Sequence, residues 1–128
     1  MEEKELVIVD TDVLIEFLDR SNLKVANRLL DIGITNICVS EISAAELFNG
    51  ARDKKHLQTL KNFIDRSLLL PVNKEISNLH LSLVHSYSLS HRLSVQNALI
   101  AATSITLGIE LYTLNTKDFK FIKGLKIL

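Results

Sequence analysis

Leu6-Val7-Ile8-Val9-Asp10-Thr11-Asp12-Val13-Leu14-Ile15-Glu16-Phe17-Leu18 is the stretch on which the reading of this chain turns. Its first residues form a continuous apolar run that stops at Asp10. That is the pattern of a strand buried on both faces, as in a parallel sheet. Thr11 to Asp19 then reads as a helix, with Thr11 or Asp12 placed to cap its start.

The alternation continues outward. Leu23, Ala26, Leu29 and Leu30 have helical spacing, and Gly33 stands where a helix C-terminus favours glycine. Ile34 to Val39 reads as a second strand, and Ser40 can cap a helix that ends at Gly50. Leu57, Leu60, Phe63 and Ile64 mark an amphipathic helix, and Leu68-Leu69-Leu70 is a short strand closed by Pro71. Ile76, Leu79, Leu83, Val84 and Tyr87 form the cleanest helical stripe in the chain. Ser94 opens a helix reaching Gly108 that is apolar almost all round, which predicts burial on several sides. Leu111 to Leu114 and Lys126 to Leu128 are the last strand candidates. Strands alternating with helices predict a three-layer α/β fold with a mainly parallel central sheet flanked by helices. With no linker, repeat or low-complexity segment, residues 1–128 read as one domain.

Composition narrows the function classes. Apolar residues make up 47% and charged residues 23%, a globular profile in a chain long enough to bury a core. The single Cys38 cannot form an internal disulfide, and its apolar neighbours predict a buried, inert thiol. The start is acidic and its apolar run short, unlike a signal peptide, and no run approaches a membrane span. These features read as a soluble cytoplasmic protein with no membrane partner. The net charge is zero, from 15 basic and 15 acidic residues, which argues against a dedicated DNA-binding module. It leaves a nuclease open, because an acidic metal site cancels basic residues that touch phosphate elsewhere. Arg20, Lys24, Arg28, Arg52, Lys54, Lys55, Lys61 and Arg66 crowd the first half, where a solvated helix face accounts for each of them.

In open parallel sheets ligands bind beyond the carboxyl ends of the strands. Asp10 ends the first strand, Asn115 and Asp118 follow the fourth strand candidate, Asn97 lies in the first turn of the buried helix, and Glu46 sits mid-way along the third helix. Glu46 lies within Ile42-Ser43-Ala44-Ala45-Glu46-Leu47-Phe48, so its carboxylate is expected to be partly buried beside a cation, a donor or a metal. Taken singly, each residue also fits an ordinary role. Asp10 and Asp12 suit helix caps, Asp12 also suits support of the site from behind, Glu46 suits an exposed helix face, and Asn115 and Asp118 suit turns. His56, His80, His85 and His91 form no His-x-x-x-His pair, and no zinc-type cluster exists. His91 and Arg92 could touch phosphate, although a solvated loop explains them better.

Taken together, the set resembles the PIN-domain nucleases of the VapC toxin type. Their opening strand ending in Asp-Thr is matched by Val7-Ile8-Val9-Asp10-Thr11. Their Ser-x-x-x-x-x-Glu-Leu-x-x-Gly pattern is matched by Ser40 to Gly50, with Glu46 as the acid. Their Ala-Leu-Ile-Ala-Ala helix is matched by Ala98-Leu99-Ile100-Ala101-Ala102, and their Thr-x-Asn-x-x-Asp-Phe motif by Thr113 to Phe119. The motifs occur in the family's order across nearly the whole chain. The resemblance implies a metal-dependent endoribonuclease, with Mg²⁺, or alternatively Mn²⁺, helping water attack an RNA phosphodiester. It implies Asp10 and the residue at position 97 as metal ligands, Glu46 as holder of a bound water or base, and Asn115 and Asp118 completing the acidic rim. It also implies a small antitoxin protein as partner and a homodimer.

Position 97 departs from the pattern: the family has an aspartate where this chain has Asn97. A neutral amide can still ligate a cation, but the lost charge weakens the site. Two explanations follow. One is a form inactivated because the active toxin harms its host, favoured because the remaining motifs are intact. The other is a variant that binds RNA or a protein without cutting well, a non-catalytic PIN module. A haloacid dehalogenase-like phosphatase is the rival enzyme, with Asp10 as nucleophile and Asp12 as acid, but its later lysine and Gly-Asp motif are missing. A phosphoacceptor receiver domain needs an aspartate ending the third strand, where the chain has Leu70-Pro71.

Overall fold

A computed structural model describes residues 5–128, so most of the acidic start lies outside the described residues. Its central sheet has four strands, β1 (Val7–Val9), β2 (Ile37–Ser40), β3 (Leu68–Leu70) and β4 (Glu110–Tyr112), in the order β3-β2-β1-β4. All three pairings are parallel, with Ile8 opposite both Cys38 and Leu111. Two helices fill each crossover: α1 (Thr11–Leu18) and α2 (Leu23–Ile32), α3 (Glu41–Asn49) and α4 (Lys54–Arg66), then α5 (Lys74–His91) and α6 (Val95–Leu107).

The alternation of side chains along the strands divides the core into two layers. Val7, Val9, Ile37 and Val39 pack with Val13, Leu14, Leu29, Leu47 and Leu60 from α1 to α4. Ile8, Cys38 and Leu111 pack on the other face with Ile76, Leu83, Ala98 and Ala101 from α5 and α6. This is the three-layer α/β arrangement expected from the sequence. The alanines of α6 are fully buried, so that helix lies close against the sheet.

Polar residues start the helices as expected in most cases: Ser40 Oγ accepts from the Ser43 amide, Ser94 Oγ from the Asn97 amide, and Asn73 and Asp53 cap α5 and α4. The first cap differs. Asp10, not Thr11 or Asp12, is the N-cap of α1, because Asp10 is still extended and its side chain accepts from the Thr11 amide. Other boundaries also shift. Ile34–Asn36 forms a 3-10 turn before β2, since Gly33 at φ 97° turns the chain sharply there. β4 starts at Glu110 and stops at Tyr112, one residue before the Thr113 hydroxyl turns to a side-chain partner. Lys126 to Leu128 contributes a parallel bridge, Ile127 to Leu111, rather than a strand. In α2 the buried residues are Val25 and Leu29, while Leu23 and Leu30 face outward at 78% and 63% exposure. The basic residues of the first half are all exposed. No helix among the described residues is long and apolar enough to cross a membrane.

Candidate active site

The strand order reverses at β1, whose neighbours β2 and β4 are reached by crossovers in opposite directions. Beyond the carboxyl ends of β1 and β4 this leaves a crevice, and the chain places Asp10 and Thr113 at those two ends. Asp10 is buried. The Thr11 amide donates to its Oδ1 at 2.8 Å and the Thr113 hydroxyl to its Oδ2 at 2.8 Å. Its own amide donates to the Tyr112 carbonyl at 2.9 Å, which extends the β1–β4 ladder to the site. Burial raises the Asp10 pKa above the ordinary carboxylate value, against the pull of the two threonine hydrogen bonds; the negative charge of Asp118 adds to the rise.

Asp12, in the first turn of α1, faces the same space. Its carboxyl is pushed up to about 6, first by burial and then by the charge of Asp10. Asn115 Nδ2 donates to its Oδ2 at 2.6 Å. Asp12 Oδ1 is buried and accepts no hydrogen bond among the described residues. An orphaned carboxylate oxygen costs free energy, and here it stands beside a second carboxylate driven toward protonation. The pair is short of positive charge.

Glu46 enters from α3. It is half-buried, and the Thr11 hydroxyl donates to its Oε1 at 3.1 Å. The same hydroxyl lies 2.9 Å from Ser43 Oγ, which lies 3.2 Å from Ser40 Oγ. A hydroxyl has one proton and the ionised carboxylate can only accept, so the proton of Thr11 goes to Glu46, and Ser43 and Ser40 donate in turn along the chain. The result is a relay of hydroxyls that fixes Glu46 to the start of α1.

The structure therefore brings Asp10, Asn115 and Glu46 into one hydrogen-bonded network. Asp118 is exposed and joins through its charge alone. Asn97 is half-buried in the first turn of α6, a helix that leads into the start of β4 and so begins near the sheet's carboxyl edge. Its amide N–H donates to Ser94 Oγ, and its side chain makes no hydrogen bond to the others. Among the described residues no three His, Cys, Asp or Glu side chains gather as an ion-binding group. Sequence reasoning left Ser43 and Thr113 without a role, gave Thr11 only a cap and gave Asp12 a cap or a supporting place. Their signal was their position inside the motifs, adjacent to the acids they serve.

Comparison with known proteins agrees with this fold. Residues 7–124 match the PIN domain family. Ribonuclease VapC1 of Rickettsia felis is 56% identical over 36 residues, a segment that spans 28% of this chain and 27% of that protein. A toxin-antitoxin complex from Klebsiella pneumoniae contains a chain of the same fold, with TM-score 0.75 and 25% identity over 93% of this chain and 94% of that one. VapBC2 of Rickettsia felis, bound to a DNA fragment from its promoter, superposes with TM-score 0.83 and 20% identity, covering 96% and 97% of the two chains. The family match over residues 7–124 places the chain in the PIN domain family, as a homologue of the VapC-type toxins.

Proposed function

We propose that this chain is a VapC-type endoribonuclease toxin that binds Mg²⁺ or Mn²⁺ at the Asp10–Asp12 pair and is weakened by Asn97. The observation that carries the reading is the orphaned, buried Oδ1 of Asp12 beside the buried carboxylate of Asp10 at the β1–β4 crevice. This donor set suits a hard cation that takes one or two protein carboxylates and keeps its waters. Asp10 and Asp12 would hold the ion, with the Asn97 amide oxygen as a neutral third donor. When bound, such an ion lowers the pKa of a coordinated water and offsets charge on a phosphate.

The protein's own groups do the rest. The Thr11 amide and the Thr113 hydroxyl hold Asp10 in one orientation, and Asn115 does the same for Asp12. Thr11 occupies Glu46 Oε1, so Oε2 is the atom that takes a proton from an attacking water. Asp118 at the rim orients that water. The substrate is RNA, the regulatory partner a cognate antitoxin that covers the cleft, and the working form a cytoplasmic homodimer. The kinship to chains in toxin–antitoxin complexes supports the antitoxin.

A non-catalytic PIN module is the second reading, favoured by the neutral Asn97. The deciding experiment is cleavage of mixed RNA by the chain and by Asn97→Asp, each with and without Mg²⁺ or Mn²⁺. Metal-dependent cutting that rises in the aspartate variant supports the nuclease. Folded protein that cuts in neither form supports the binding module.

A further inference from the structure

We propose that the ring of His91, stacked on Phe121 beside the acidic crevice, is a platform for a base of single-stranded RNA flanking the scissile phosphate. The proposal rests on the ribonuclease reading above. His91 and Phe121 lie with ring centroids 4.2 Å apart and planes 11° from parallel. Tyr87 meets both edge-on, with centroids 5.6 Å from His91 and 5.2 Å from Phe121. Phe121 covers one face of the imidazole and Tyr87 stands edge-on to it, yet His91 as a whole remains exposed. A core-filling histidine would be buried.

The position of the stack ties it to the site. His91 ends α5, and the segment after it leads to Ser94 and the first turn of α6 that holds Asn97. Phe121 follows the 3-10 turn Thr116–Asp118, and its Cα lies no more than about 11 Å from that of Asp118 by chain length alone. The stack thus joins the two segments that bear Asn97 and Asp118. Three exposed cations flank it: Arg92 follows His91 directly, and Lys120 and Lys123 bracket Phe121. None forms an ion pair among the described residues. The amide of Lys123 donates to the Tyr87 hydroxyl at 3.3 Å, which holds that backbone against the aromatic group. Arg92 caps α5 in the left-handed region, at φ 53°, where glycine is the usual occupant.

An exposed flat ring, surrounded by unpaired cations, is the arrangement that binds single strands, because every base has a stacking face and every linkage a negative charge. A duplex cannot offer its bases in this way. A protein partner would use the cations with little demand on the ring.

The test is fluorescence titration of the full chain in EDTA, where metal-dependent cutting is off, with single-stranded RNA carrying 2-aminopurine and with a duplex of the same sequence. The expected result is quenching on binding to the parent, lost in His91→Ala and His91→Gln with affinity for the single strand at least about fivefold weaker. His91→Tyr keeps both, and duplex affinity is the same in all four. Two substitutions guard against a folding defect in one, and circular dichroism verifies each. Equal quenching and affinity in parent and His91→Ala would overturn the platform, as would equal losses for single strand and duplex. Failure of the parent to bind single-stranded RNA at all would also overturn it and leave the surface to a protein. The assay reads binding only. A chain that stacks RNA on His91 yet never cuts sinks the nuclease reading alone, and an Asn97→Asp variant that cuts without regard to His91 sinks the platform alone.

Discussion

The hydroxyl of Thr113 donates to Oδ2 of Asp10 at 2.8 Å, joining residues 103 positions apart in the sequence. Both are buried, and the bond clamps the exits of β4 and β1 at the point where the sheet opens. It favours the ionised carboxylate and so opposes part of the rise in the Asp10 pKa that burial causes. Replacing Thr113 by Val keeps the shape and removes the donor. An unsatisfied buried acceptor costs about 1–3 kcal/mol. Urea unfolding at neutral pH should therefore show Thr113→Val less stable by that amount, with Thr113→Ser close to the parent. A valine variant as stable as the parent would show that the bond contributes nothing net.

Asn97→Asp adds a negative charge to a site already short of positive charge, so it should bind divalent ions more tightly. Unit charges about 4 Å apart exchange roughly 1–4 kcal/mol between water and a protein-surface dielectric, so Mn²⁺ affinity by calorimetry should rise about tenfold or more. Unchanged affinity would remove position 97 from the set of ligands.

The acidic pair makes the metal-free protein sensitive to pH. Asp10 and Asp12 both have raised folded-state pKa values, so the folded protein holds protons more tightly than the unfolded chain. Stability from this source is full below the unfolded value near 3.8 and is lost as pH rises through about 6, the folded value for Asp12. Thermal melting without metal should therefore show Asp12→Asn gaining on the parent as pH rises from about 4 to about 6.5. Mg²⁺ should stabilise the parent more at the upper end, and Asp12→Asn less than the parent. A parent that gains on Asp12→Asn as pH rises would refute the assignment.

Phe119 anchors the loop that carries Asp118. Its side chain is fully buried with Ile8, Leu111 and Ile122. Phe119→Ala should cost about 3–5 kcal/mol in urea unfolding, and Phe119→Leu clearly less. A loss below about 1 kcal/mol would mean that the loop repacks around the cavity.

Much of this architecture was legible in the chain. Continuous apolar runs at Leu6 to Val9 and at Leu68 to Leu70, helical stripes such as Ile76-Leu79-Leu83, and polar starts at Ser40 and Ser94 are local signals. They specify element type because the side-chain period is set by backbone geometry. The order of Asp10, Glu46 and Asn115 within family-like motifs singled out residues that the fold brings into one hydrogen-bonded network. Other features depend on partners distant in sequence. Asp10, besides capping α1 locally, pairs its backbone amide with Tyr112 and its Oδ2 with Thr113, neighbours that the local pattern does not contain. Leu23 and Leu30 share helical spacing with Leu29 but face outward, since which side of α2 is covered depends on where α1 and the sheet lie. The clamp from Thr113, the hydroxyl relay to Glu46, and the orphaned oxygen of Asp12 exist only once the crossovers bring β1, α3 and β4 to one edge. Periodicity and apolar runs determined where helices and strands form; only the tertiary structure, by excluding water from that edge, decided which carboxylates meet and how far their charge is opposed.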